Sequence, residues 1–160
     1  MKQLFLGLLL ISSSLLAAPV FKAEFPQGPD TSLTPGALCD RPDSYRYPEK
    51  IAYCNREVDP MLKDDVFREY RHNGYRLKLN NRSDYKIDHL IPLCAGGSNR
   101  ETNLWPQHIS IFKITDPMES LGCEKLKTAK IKQAQLVKLI IAAKRDLSLV
   151  PRTLKYLNSL

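Results

Sequence analysis

Two of the chain's three histidines and its one tryptophan fall within the stretch from Lys86 to His108, KIDHLIPLCAGGSNRETNLWPQH. The same stretch sets Asp88 beside His89, then a Gly96-Gly97 pair, then Asn103. Hydrolysis of a phosphodiester asks for a cation held by hard oxygen ligands, a base that activates water, a group that holds that base, and backbone room for a phosphate. Asp88 offers a carboxylate oxygen to a divalent ion, which would stabilise charge on the phosphate oxygens and the leaving alkoxide. His89, with an ordinary pKa of about 6.5, can take a proton from water near neutral pH. Asn103 both donates and accepts hydrogen bonds and can fix the imidazole or its loop. Gly96-Gly97 permits a sharp chain reversal.

These residues need elements to position them. Tyr85, Ile87, Leu90 and Ile91 flank Asp88-His89 as a short apolar strand, the segment from Cys94 to Asn99 has turn chemistry, and Leu104-Trp105 begins a second strand. A β-hairpin with a long, ordered loop is expected. Neighbours in a strand point to opposite faces, which would separate Asp88 from His89. Pro92 marks a strand end close by, where alternation relaxes and a phosphate can be clasped between the two side chains. Trp105 reads as a core anchor.

Before the hairpin, Asp59-Pro60 gives a helix cap with proline in the first turn, and Leu62, Val66 and Tyr70 repeat at four-residue spacing up to Asn73-Gly74. A helix over 60–72 is expected, with His72 solvated at its end. After the hairpin, Thr115-Asp116-Pro117 repeats the cap-and-proline signal and predicts a helix over 117–128. The stripe Ile131, Ala134, Val137, Ile141 predicts another, ending near Arg145. Residues 113–145 hold eight Lys or Arg against three Asp or Glu, which suits a solvated helical face or contact with a nucleic-acid backbone. YRYPEKIAYC, broken by Pro48, suits an edge strand or turn. The Pro-, Gly- and Ser-rich stretch ahead of it reads as an irregular arm.

The first residues are set apart. Lys2 precedes the uncharged apolar run LFLGLLLISSSLLAA, the form of a secretory signal peptide and too short for a membrane span. Cleavage after Ala17 or Ala18 satisfies the small-residue requirement, with Ala23 as a later alternative. Loss of Lys2 takes the formal charge from +7 to +6, an excess that fits a polyanionic partner or plain solubility. Cys39, Cys54, Cys94 and Cys123 make an even count in an exported chain, so disulfides are expected, with Cys39–Cys54 and Cys94–Cys123 the favoured pairs. The absence of a CxxC knuckle argues against structural zinc. The chain beyond the leader is long enough for one domain.

DHLIPLCAGGSN followed by NLWPQ resembles the HNH endonuclease family, and in particular its short members carried behind signal peptides. The resemblance covers about 25 residues closely and the flanking helices loosely. It implies an α+β fold in which an HNH ββα-metal hairpin-plus-helix motif is embedded among additional helices and stapled by disulfides. The implied division is a cleaved signal peptide at 1–18, an irregular arm at 19–43, and a nuclease domain at 44–160 with its motif at 86–120. It implies His89 as general base, Asp88 as metal ligand and Asn103 as the residue orienting the base or its loop. The family's usual third ligand position falls on Phe112, which cannot bind a metal. His108 is the favoured substitute, with Ser110, Asp116 and Glu119 as alternatives. Lys86, Arg100 and Lys113 flank the motif as candidate phosphate contacts. The implied cofactor is a divalent metal ion, Mg²⁺ first and Mn²⁺, Ni²⁺ or Zn²⁺ as alternatives. The implied protein is a monomeric periplasmic or extracellular endonuclease, free of the membrane after leader removal, cleaving DNA, with RNA as a further candidate, without marked sequence preference. The alternative is a non-catalytic HNH-like module that binds DNA or another polyanion.

Overall fold

Asp59 starts the first helix as its sequence position requires. Its carboxylate accepts from the Leu62 backbone N–H at 2.8 Å, and α1 runs Pro60–His72 with Val66, Phe67 and Tyr70 buried. A side-chain cap of this kind contributes about 1 kcal/mol. The computed structural model describes residues 21–160, so the expected signal peptide at 1–18 lies outside the described residues. Among the described residues the architecture is α+β, with two two-stranded antiparallel sheets and four α-helices.

The first sheet pairs β1 (Ser44–Arg46) with β2 (Ile51–Tyr53), so the YRYPEKIAYC segment is a small hairpin turning around Pro48. The second pairs β3 (Tyr85–His89) with β4 (Leu104–His108), in register Tyr85↔His108 and His89↔Leu104. This is the long-looped hairpin expected from the sequence. Both expected disulfides are present, Cys39–Cys54 and Cys94–Cys123. The first ties the arm to the end of β2, and the second ties the hairpin loop to the next helix.

That helix differs from expectation. α2 spans Ile109–Lys127 without a break, so Pro117 lies inside it and does not start it. His108 is the N-cap, its ring nitrogen accepting from the Ser110 N–H at 3.3 Å. Thr115, expected as a cap, is fully buried and accepts from Gln107 Nε2 at 2.8 Å. A proline interrupts a helix because it cannot donate to the carbonyl four residues back. Here Lys113 and Pro117 are both exposed, so the freed carbonyl lies on the watered face.

α3 (Gln133–Arg145) ends where expected, but its buried stripe is Leu136, Ile140, Ala143 and Lys144. Of the stripe expected from the sequence, Ile131 is buried just ahead of the helix, while Ala134, Val137 and Ile141 line a surface groove with Leu38 and Arg145. α4 (Val150–Asn158), not anticipated, closes the chain against α2 and buries Val150, Thr153 and Leu157.

Two apolar cores result. One gathers Leu90, Ile91, Met118, Leu126, Leu136, Ile140 and Leu157, and the other Val66, Phe67, Tyr70, Ile87, Leu104, Trp105 and Ile111. Trp105 is fully buried, as an anchor should be. β3 and the residues just beyond it feed both cores, so Asp88 and His89 sit at the seam between them.

The arm is irregular but tied down. Asp30 gathers Lys22 Nζ at 2.8 Å, Asn73 Nδ2 at 3.0 Å and the Tyr75 hydroxyl at 3.0 Å. Thr34 donates to the Leu104 carbonyl at 2.8 Å, and the Ala37 carbonyl accepts from Ser98 N–H at 3.0 Å. The arm therefore straps the loop between β3 and β4. That loop turns at Gly96, in the left-handed region with φ 82°, and then presses Gly97 against the Ile91 carbonyl. A methyl group at 97 would overlap that carbonyl oxygen. Gly97→Ala is expected to lower stability by about 1–3 kcal/mol, as overpacking does, read from the urea midpoint at unchanged m-value.

Candidate active site

Asn103 decides the shape of the loop. Fully buried just before β4, it accepts from Ile91 N–H at 2.9 Å and donates to the Ile91 and Ser98 carbonyls at 3.0 and 2.9 Å. Its own carbonyl accepts from Leu90 N–H at 2.8 Å. One amide thus satisfies three backbone groups that a buried loop would otherwise leave unpaired. Of the two roles anticipated, orienting the base or orienting its loop, these bonds are those of a loop organiser.

The residue that touches the His89 ring is Asn99. Its amide nitrogen donates to the Asn55 carbonyl at 2.6 Å, which turns its oxygen toward His89 Nε2 at 3.0 Å. The imidazole must then carry its proton on Nε2, and Nδ1 keeps a free lone pair. Nδ1 is buried and has no hydrogen-bond partner among the described residues. Trp105 Nε1 is also unpartnered, but it is a donor only and cannot act as a base. Burial holds the His89 pKa below its ordinary 6.5 against the pull of the Asn99 bond, and Arg56 pushes the same way as burial. The ring is therefore neutral at neutral pH.

Asp88 serves a different set of partners. Its Oδ2 takes a hydrogen bond from Lys144 Nζ at 2.7 Å, and its Oδ1 lies 3.4 Å from Lys86 Nζ. Lys144 also donates to the His89 carbonyl at 2.5 Å and lies 2.8 Å from Glu119 Oε1, a contact close enough for an ion pair but without hydrogen-bond alignment. Lys144 is completely buried, an arrangement that a charged lysine tolerates only when paired. Burial alone would push the Asp88 carboxyl up, but Lys144 and Lys86 outweigh it and hold it below the usual range. Burial would likewise push the Lys144 ammonium down, and Asp88 and Glu119 reverse that. Glu119 is the exception: burial and the nearby Asp88 charge push it up to about 7 despite Lys144.

The remaining anticipated residues are dispersed. His108 sits opposite Tyr85, at the other end of the hairpin from His89. Four residues of strand place it roughly 13 Å from the Leu104 position that faces His89. It is occupied there, its Nδ1 2.8 Å from the Ser110 hydroxyl and its ring stacked on Phe25 at 4.1 Å. The structure therefore does not bring His108 or Ser110 to Asp88. Of the four candidates for the third position, Glu119 comes to Asp88 through Lys144, and Asp116 comes to it through Lys86, whose Nζ lies 2.8 Å from the Asp116 carboxylate. Phe112 lies under that same ammonium, 4.8 Å from ring centre to Nζ. Arg100 pairs with Asp40, and Lys113 is exposed on α2.

The metal expectation can be tested against these donors. Asp88 and Glu119 both face the Lys144 ammonium, and Lys86 stands at the other Asp88 oxygen. Among the described residues no group of three or more His, Cys, Asp or Glu is arranged to hold an ion. The surroundings of Asp88, as folded, do not fit a divalent cation. No family model, curated protein or solved structure matches the chain, so the site is read from its own geometry.

Sequence reasoning passes over two residues. Asn99 is visible in the Gly-Gly-Ser-Asn turn, but nothing in the sequence distinguishes a ring-clamping asparagine from a turn former. Lys144 counts there with the basic face of its helix; its signal is a spacing of four from Ile140, which puts both on one side.

Glu119 supplies a test with a definite sign. Its folded pKa of about 7 lies above the ordinary 4.5, so the folded state holds a proton that the unfolded state has released between those values. That contribution is complete below about pH 4.5 and is lost as pH rises through about 7. Glu119→Gln, which keeps the neutral shape, should remove this fall, seen as a flatter dependence of the urea midpoint on pH than in the wild type.

Proposed function

We propose that the chain is an exported hydrolase that cleaves phosphodiester bonds of DNA, with RNA as a second substrate, showing little sequence preference and using His89 as general base. The observation that carries this reading is the clamped imidazole. Asn99 fixes its tautomer, desolvation keeps it neutral, and Nδ1 is left with an uncommitted lone pair at the end of the first strand of a β-β-α unit. The resemblance to HNH endonucleases implies the general base at this same residue.

In this reaction Nδ1 takes a proton from water as the water oxygen attacks phosphorus. The bond from phosphorus to the leaving alkoxide breaks, and solvent protonates the alkoxide. Asn99 holds the ring and favours its positive charge as the proton arrives, because the Nε2–H bond strengthens when the imidazole becomes cationic. Asn103 holds the loop through Ile91 and Ser98. His89 is 2 % exposed, so water and phosphate reach Nδ1 only when the covering side chains move. Lys113, exposed on α2, is the uncommitted member of the three candidate phosphate contacts. Two disulfides support export, and no helix among the described residues is long and apolar enough to cross a membrane.

The same burial favours a second reading. A 2 % exposed histidine and an aspartate committed to a lysine are what a non-catalytic scaffold would show, and the positive charge would then serve to bind a polyanion.

One experiment separates the two. Purified, oxidised protein is incubated with duplex DNA, single-stranded DNA and RNA, in Mg²⁺, in Mn²⁺ and in EDTA, beside His89→Ala. Hydrolysis should appear in the wild type and fall by on the order of 10²–10⁴-fold in the variant, the usual contribution of a general base. The wild-type rate should decline as pH drops through a value below 6.5, where His89 acquires its proton. Binding of DNA with no cleavage by a folded wild-type protein would establish the scaffold reading instead.

A further inference from the structure

The Asp88 cluster has the donors of a hard-cation site. Two carboxylate oxygens and one backbone carbonyl converge on a single point, and oxygen ligands of this kind suit Mg²⁺, Mn²⁺ or Ca²⁺. At that point stands Lys144 Nζ, 2.7 Å from Asp88 Oδ2, 2.8 Å from Glu119 Oε1 and 2.5 Å from the His89 carbonyl. An ammonium has three N–H donors and no acceptor, and three oxygens surround this one. The ligands come from three elements: β3 supplies Asp88 and His89, α2 supplies Glu119, and α3 supplies the cation.

We propose that Lys144 is the resident cation of this cluster, closing it to divalent metals, and that removing the ammonium converts the Asp88–Glu119 pair and the His89 carbonyl into a divalent-cation site. Charge and size both bear on this. The cluster is buried, Lys144 completely so, and a second positive centre at the same oxygens would meet the ammonium at contact distance in a medium that screens poorly. Lys86, 3.4 Å from the other Asp88 oxygen, adds to that repulsion. Taking away the Lys144 side chain leaves the Asp88 and Glu119 carboxyl groups facing a cavity without the ammonium that joined them. A divalent ion satisfies their charge, with the backbone carbonyl as a third ligand.

The inference deepens the proposed hydrolase by making the site's cation a side chain, and so rests on that reading, yet its test reads ion binding alone. Full-length mature protein with its disulfides intact is titrated with Mn²⁺ by calorimetry, and its melting temperature is followed in parallel. The wild type should show no saturable Mn²⁺ binding that Asp88→Asn abolishes. Lys144→Ala should acquire such binding together with a saturating rise in melting temperature, and the double variant Lys144→Ala with Asp88→Asn should lose both. Asp88-dependent Mn²⁺ binding by the wild type would overturn the proposal whether or not Lys144→Ala folds. So would a folded Lys144→Ala protein that takes up no ion. Neither result depends on hydrolysis: cleavage can fail with the ion prediction intact, and the ion prediction can fail in an active enzyme.

Discussion

A lysine buried without any exposure is the constraint around which the rest of the molecule is arranged. Desolvating an ammonium costs several kcal/mol, and the cost is offset only where good partners surround it. Lys144 takes its partners from β3 and α2, so α3 cannot pack in its observed position unless the hairpin and the next helix are already in register. Removing one member of such a set costs about 3–5 kcal/mol, because the others remain buried and uncompensated. The two apolar cores meet at this point. An apolar seam would tolerate sliding of one core on the other, whereas a directional, charged contact admits few arrangements.

A second constraint acts on the loop that carries the imidazole. Thirteen residues lie between His89, the last residue of β3, and Asn103 at the edge of β4, too many for a tight turn, yet most of them are buried. Buried loops are rare because their amides and carbonyls need partners. Asn103 provides three of them, the arm provides others through Ala37 and Cys39, and the two disulfides hold the arm and α2 in place around the same loop. His89 thus inherits a fixed position from contacts made mostly by other residues. A side chain held this way has little conformational freedom left to lose, which is what a rigid scaffold confers.

The legible parts of the sequence are those governed by local rules. Asp59-Pro60 marks the start of α1, the apolar residues around Ile87 and Leu104 mark the hairpin, and an even cysteine count behind a leader-like run predicts disulfides, with the two observed bridges the favoured pairs. Local rules fail where tertiary packing overrides them. Pro117 looks like a helix start because proline is well tolerated there, but an exposed proline is also tolerated further in when the orphaned carbonyl faces water. The stripe of α3 is ambiguous because Ile131, Ala134, Val137 and Ile141 and the observed Leu136, Ile140 and Ala143 are both apolar at helical spacing. Only the partner helix and the buried Lys144 select between them. His108 looks like a ligand because its type is right. The pairing register, which places it at the far end of the hairpin, is not written in residue types.

The distribution of positive charge bears on how a polyanion would meet this surface. Lys86, Arg100 and Lys144 lie nearest the motif, and each is matched to carboxylates within the fold: Asp116 and Asp88, Asp40, and Asp88 with Glu119. These three cations are therefore neutralised within the fold, leaving Arg56 as the further positive charge that reaches His89. At the end of α1, Arg71 lines a polar cleft with His72 and Phe21, beside Arg68 and Arg76, which pair with Asp65 and Glu24, and Lys113 and Lys138 are exposed on α2 and α3. Attraction that is spread over a surface acts on phosphates before contact and falls with salt, while cations already matched to carboxylates add little hold on the backbone once it arrives. Such a division favours broad capture over reading of sequence.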